Sequence, residues 1–266
     1  MAAIVAGNAQ AAPDVAVPLA PSGKWTVEHE PYTCILSRKF GPAPDGVWFG
    51  IMPLTLDSHA TVVVVLPKNF PGHLAYLGKA RITLSPSGQS ITSAFAKTRA
   101  VPGGGRAAMI TIDRSDLPAV LAAASLTIES GSVAVSIVPT AGASAIRALE
   151  TCETELAVRW GIDAAALAAI ATPAVPVDPL HAMITNADYP KGALSSGSQG
   201  DSMILMQIGT DGKVVTCRTL QSAGYRELDE TACRVKSRRA RYTPARDKQG
   251  VAVPSWVSTT ISFLIP

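Results

Sequence analysis

Between Trp25 and Val138 the chain is cut into short runs rich in Val, Ile and Thr, each bounded by Gly, Pro, Asn or Ser. Runs this short, with β-branched residues and turn formers at both ends, fit strands rather than helices. The runs are Trp25–Glu28, Cys34–Lys39, Val47–Pro53, Thr61–Leu66, Ala80–Leu84, Ser90–Lys97 and Ala107–Ile112, then Ser125–Glu129 and Val133–Val138. One interruption is helical. Ser115-Asp116-Leu117-Pro118 reads as a cap followed by Pro in the first turn, opening a short helix through Ala124. Pro102-Gly103-Gly104-Gly105 lacks the strand-to-helix setting of a phosphate loop and reads as a hairpin turn.

The period changes at 143–160, where Ile146, Leu149, Cys152 or Glu153, Leu156 and Trp160 fall at helical spacing. This helix is expected to close a first, mainly-β domain. Next comes an Ala/Pro stretch with Pro173, Pro176 and Pro179 three apart, the spacing of a polyproline II spacer. Beyond it stands a β-β-α-β pattern: a strand Ser202–Ile208, a turn at Thr210-Asp211-Gly212, a strand Lys213–Leu220, a helix Glu227–Arg241 stopped by Pro244, and a last strand Val253–Leu264. A length of 266 residues suits two domains. The expected fold class is α+β, divided as 1–24 (signal-peptide remnant or disordered tail), 25–160 (β-rich domain), 161–180 (Ala/Pro linker, with 164–180 the expected site of proteolytic nicking) and 181–266 (small C-terminal domain).

Composition narrows the function classes. Hydrophobic residues are 47% and charged residues 16%, enough for packed cores and too few charges for disorder. The net charge of +3 is too balanced for a dedicated nucleic-acid binder, and 5% aromatic residues leave little for base stacking. No stretch has the roughly 20 apolar residues of a membrane span. The opening MAAIVAG and the A-x-A form of Ala9-Gln10-Ala11 suggest export with cleavage after Ala11, although no Lys or Arg precedes them. Four cysteines, Cys34, Cys152, Cys217 and Cys233, allow three pairings, and an even number in an exported chain favours disulfides. Cys34 and Cys152 fall in the first domain, where a bond would tie the closing helix to an early strand.

Catalytic patterns are sparse. There is no G-x-S-x-G, P-loop or H-E-x-x-H, and His29, His59, His73 and His181 stand alone in sequence. Asp113 and Asp116 are better explained as a strand end and a helix cap than as a carboxylate pair. The expectation is a non-enzyme with no cofactor and no metal. One charged feature stands out: Arg234, Lys236, Arg238, Arg239 and Arg241 share a helix and run on to Arg246 and Lys248. It reads as a solvated face with cations at a helix C-terminus, the sharper alternative being a patch for an anionic partner.

The last 80 or so residues resemble the TonB carboxy-terminal domain. The features come in order: Tyr189-Pro190, Gly200 before the first strand, Gly209-Thr210-Asp211-Gly212-Lys213-Val214, Gln221-Ser222-Ala223-Gly224, Leu228-Asp229, Arg239-Ala240-Arg241-Tyr242-Thr243-Pro244-Ala245, and Gly250-Val251-Ala252-Val253 leading to Phe263. The resemblance implies a periplasmic domain whose last strand takes up an extended segment, the TonB box of an outer-membrane receptor, by strand addition. The contact residues so implied are Tyr189, Pro190, Trp256, Val257, Ser258, Thr259, Thr260, Ile261, Ser262 and Phe263. Two departures from the family are expected: the lack of a membrane anchor with its long Pro-rich spacer, unless the start lies upstream, and the Cys217/Cys233 pair. Disulfides Cys34–Cys152 and Cys217–Cys233 are expected.

The leading expectation is therefore an exported, periplasmic TonB-family protein that binds a TonB-dependent receptor or another envelope protein and serves energy-dependent transmembrane transport. Membrane anchoring is expected if the true start lies upstream, and a homodimer remains open. The alternatives are an envelope adaptor uncoupled from the proton motive force, and an enzyme within residues 25–160.

Overall fold

The structure, a computed structural model, describes residues 17–43, 46–53, 56–75, 77–178 and 184–265. The expected cleavage site after Ala11, as well as Pro179 and His181, lie outside the described residues.

The N-terminal unit is built on one antiparallel sheet. Its strands are β1 (Thr26–His29), β2 (Cys34–Phe40), β3 (Val47–Pro53), β4 (His59–Leu66), β5 (Leu77–Ser85), β6 (Ser90–Ala100), β7 (Arg106–Asp113), β8 (Ser125–Ser130) and β9 (Val133–Ile137). Their order is β1-β2-β3-β4-β7-β6-β5-β8-β9. The first described residues join the two ends. Leu19 N–H donates to the Ser136 carbonyl at 2.8 Å, and Gly41 N–H donates to that of Ala20 at 2.8 Å. Residues 19–22 thus bridge β9 to β2 and satisfy edges that would otherwise stay unpaired. Alternate residues point inward: Leu36 and Phe40, Phe49 and Ile51, Val62 and Val64, Ile110 and Ile112. Each such side chain contributes about 1.5–3 kcal/mol by leaving water.

Two helices complete this unit. Helix α1 (Leu117–Ala122) buries Leu117, Val120 and Leu121. Asp113 and Asp116 occupy the strand end and helix cap expected of them, but neither side chain makes a capping hydrogen bond. Helix α2 (Ala143–Arg159) buries Leu149, Cys152, Glu153, Leu156 and Ala157 and lies against β1 and β2. The Cys34–Cys152 disulfide fixes it there, with the two Cα atoms 6.1 Å apart. Residues 102–105 form the expected turn between β6 and β7, where Val101 N–H donates to the Gly105 carbonyl.

The stretch expected to be an extended spacer is attached along its described length. Asp163 caps a short helix α3 (Ala164–Ala168) through the Ala166 N–H at 2.8 Å. Strand β10 (Val175–Pro176) then pairs with β13 (Tyr242–Thr243), and Ala174 is buried in the C-terminal core. The backbone N–H groups of Ala171 and Thr172 both donate to the Arg246 carbonyl, at 2.8 and 2.9 Å.

The C-terminal unit follows the expected pattern, preceded by an unforeseen short helix α4 (Lys191–Ser195). Strands β11 (Gly200–Ile208), β12 (Val214–Gln221) and β14 (Ser255–Phe263) form a sheet in the order β12-β11-β14. Gly212 makes the hairpin turn at φ +76°, and a Cβ there would strike the Tyr242 carbonyl oxygen, so only glycine fits. Helix α5 (Arg226–Arg239) covers one face through Leu228, Ala232 and Val235. Cys217 on β12 is bonded to Cys233 on α5, as expected, closing a loop worth roughly 3 kcal/mol in the chain-entropy model. The opposite face of the sheet is also covered. Met203 and Leu205 of β11 belong to the same core as Trp160 and Ile162, and Trp256 and Leu220 pack against it. The sheet therefore lies between α5 and the N-terminal unit.

Candidate functional site: the β14 edge and its clefts

Two strands of the C-terminal sheet are edges, and they differ. The β11–β12 ladder shifts register twice, between Met203 and Ile204 and between Gln207 and Ile208. Register shifts of this kind twist an edge away from further pairing. The β11–β14 ladder runs unshifted from Gly200↔Phe263 to Ile208↔Ser255. Strand β14 thus offers nine residues of regular backbone, and among the described residues its outer side pairs with no other strand.

Its side chains divide by face. Val257, Ile261 and Phe263 join the core under α5. Trp256 packs toward the N-terminal unit. Ser258 is fully buried, Thr259 half-buried, and Thr260 and Ser262 are exposed. The outer edge is therefore most open from Thr259 to Ser262, while its Ser255 end runs between the two units.

Tyr189 and Pro190 lie beside the other end of β14. The Tyr189 ring meets Phe263 edge-on at 5.6 Å, and its hydroxyl donates to the Ser198 carbonyl at 2.5 Å. An ion pair holds this segment. Arg239 donates to both carboxylate oxygens of Asp188, at 2.6 and 2.8 Å. That guanidinium, together with donation from Thr185, keeps the Asp188 carboxyl well below the usual carboxylate range. The basic row on α5 is thus not one solvated face. Arg239 is committed to Asp188, Arg234 donates to the Thr231 hydroxyl, and burial pulls the Lys236 ammonium below its ordinary value.

The Ser255 end of β14 opens onto two adjoining clefts between the units. The smaller, about 250 Å³, holds Asp57, His59, Lys236 and Tyr242. His59 Nδ1 lies 2.8 Å from Asp57 Oδ1, and this hydrogen bond raises the imidazole pKa. Burial, then the nearby Asp57 charge, pushes the Tyr242 hydroxyl up to about 12. The larger cleft, about 690 Å³, has an apolar wall of Leu167, Ile170, Ala174, Trp256 and Val257. Arg114 clasps Glu153 at its floor through both carboxylate oxygens, and burial is outweighed by that pair, which raises the arginine pKa. Sequence reasoning missed both clefts. The only local hint was a glutamate, Glu153, at an apolar position of α2.

Residues 185–265 match the model of a family described as Gram-negative bacterial TonB protein C-terminal. The C-terminal segment is TonB-like. Among solved structures, the solution NMR structure of the Pseudomonas aeruginosa TonB CTD is 23% identical over 35% of this chain and 86% of that chain, with a TM-score of 0.27. No curated protein matches the chain. The matched residues take in Asp188, Tyr189 and all of β14, whereas the N-terminal sheet, α2 and α3 lie outside the match. Among the described residues no helix is long and apolar enough to cross a membrane.

Proposed function

We propose that this is a periplasmic protein of the cell envelope that takes up an extended segment of a partner by strand addition to β14, the partner being a TonB-dependent outer-membrane receptor. The TonB-like match of residues 185–265 supports the envelope setting. The observation that carries strand addition is the contrast between the edges: β14 is regular and open, while β12 is broken by two register shifts. An added strand gains main-chain hydrogen bonds along β14, and the alternating exposed side chains Thr260 and Ser262 supply specificity.

A proline scan over Thr259, Thr260, Ile261 and Ser262 tests this. In an antiparallel strand alternate N–H groups face opposite neighbours. Prolines at one parity should remove an outward N–H and abolish binding of TonB-box peptides while the fold survives. Prolines at the other parity break the ladder to β11 and should lower stability. Alanine at Thr260 and Ser262 keeps the backbone donor and should cost little. Amide shifts on titrating receptor peptides report binding, and shifts on α5 in place of β14 would defeat the reading. Pairing that depends on protein concentration without peptide would instead identify a second copy of the chain as the occupant.

A second reading has its own observation. The N-terminal unit shares a core with the back of the TonB-like sheet through Met203 and Leu205, which suits a rigid adaptor presenting both units together. In that case partners bind the N-terminal sheet and leave the β14 amides unmoved.

A further inference from the structure

We propose that the larger of the two clefts at the Ser255 end of β14 is a binding site for a small organic cation with an apolar body, independently of strand addition at β14. Three observations carry it. The first is size and place: about 690 Å³ lies between the loops after β3 and β7, helices α2 and α3, and the first residues of β14. Ligand pockets fall in this range of volume and favour seams between units.

The second observation is charge. Four carboxylates line the cleft, those of Asp57, Asp113, Glu150 and Glu153, against the single guanidinium of Arg114. Glu153 is buried and bonded by Arg114 through both oxygens, so that pair is internally neutral. Asp57 Oδ1 accepts from the His59 backbone N–H at 3.0 Å and lies 2.8 Å from the ring Nδ1 of the same residue, and Asp113 lies 3.8 Å from His59 Nε2 with 71% of its side chain exposed. Glu150 is exposed at the mouth. The surplus is negative, and an anion would have to displace Glu153 from Arg114 to find a partner.

The third is an unmet polar group. Ser255 lines the cleft, is 2% exposed, and its hydroxyl has no hydrogen-bond partner among the described residues. A buried hydroxyl left unpaired is costly, and a ligand donor there would satisfy it. Neighbouring atoms cover that oxygen from the open cleft, so an ammonium satisfies it only where they yield, with its alkyl body against Leu167, Ile170 and Trp256.

Calorimetric titration of the full chain at pH 7 tests the assignment with three eight-carbon probes below their micellar range: octylammonium, octanoate and 1-octanol. Octylammonium should bind at least about tenfold more tightly than octanoate, because each carboxylate at the cleft attracts one and repels the other. Glu150→Gln, on the exposed face of α2, should weaken octylammonium several-fold and leave octanol unchanged. Thr154→Trp, also exposed, puts an indole across the mouth and should abolish binding of octylammonium with the melting temperature unaltered. Equal affinity for the three probes, no binding of octylammonium at millimolar concentration, or binding that survives Thr154→Trp would overturn the proposal. Success or failure here leaves the β14 amide shifts with receptor peptides as a separate readout.

Discussion

Glu153 is the residue at which local chemistry and tertiary structure depend most on each other. It sits on the apolar stripe of α2 between Leu149 and Leu156, with only 8% of its side chain exposed, and Arg114 from the turn after β7 holds it with two hydrogen bonds. A carboxylate so placed is tolerable only while paired. Arg114→Met should therefore cost about 2–3 kcal/mol, below the 3–5 kcal/mol of a fully buried pair because Arg114 keeps 36% of its side chain in water. Adding Glu153→Leu should recover most of that loss, since two apolar groups leave no stranded charge. Denaturant unfolding of the single and double variants measures both, and an unrecovered double variant would show that packing of the arginine stem, rather than the stranded carboxylate, sets the cost. The sequence carried half of this. Helical spacing allowed Cys152 or Glu153 on the buried face, whereas nothing local named Arg114 as the partner, because the two residues are 39 positions apart.

Among the elements, strands were the most legible, since runs such as Thr61–Leu66 and Ala107–Ile112 fit only a pleated, half-buried surface. Their order was not. Sequence neighbours β4 and β5 are separated in the sheet by β7 and β6, a choice fixed by which faces the core must cover. The Pro173–Pro176 stretch shows why composition misleads about linkers. Proline spacing is compatible with a free polyproline segment, but Ala174 is small enough to enter the C-terminal core and Val175 pairs with Thr243. The element is decided by what it meets rather than by its own preference. Proteolysis depends on backbone hydrogen bonding rather than composition, so proteases should spare residues 171–177. The amides of Ala171, Thr172 and Val177, bonded to the carbonyls of Arg246 and Arg241, should exchange with solvent slowly. Rapid exchange at these three positions, or first cleavage between Ala171 and Val177, would show that the segment detaches in solution. The clefts were illegible for a related reason, since the walls of the larger come from the loop at Ser58, helix α2, residues 167–174 and Ser255.

At the scale of the whole molecule, the seam between the units decides whether the TonB-like part acts alone. Trp160 is 7% exposed just past the end of α2, Leu205 is 4% exposed on the back of β11, and both line a cavity of about 70 Å³ that they share with Trp256. The Trp160 carbonyl also accepts a hydrogen bond from Arg218 of β12. A fragment holding only the C-terminal sheet would uncover Met203, Leu205 and Trp256, the apolar face that the N-terminal unit now covers. The intact chain should accordingly unfold in a single transition. Trp160→Ala should lower its stability by about 3–5 kcal/mol and Leu205→Ala by about 2–5 kcal/mol, the usual range for emptying a packed core. Because the two side chains belong to one seam, the double variant should lose less than the sum of the singles, by at least about 0.5 kcal/mol. Calorimetry gives the number of transitions and denaturant titration the coupling. Two separate endotherms in the parent chain, with Trp160→Ala shifting only the N-terminal one, would mean that the units fold independently and that the seam is contact without energetic coupling. A single endotherm with a measurable coupling would mean that any pull on β14 is resisted by both cores at once.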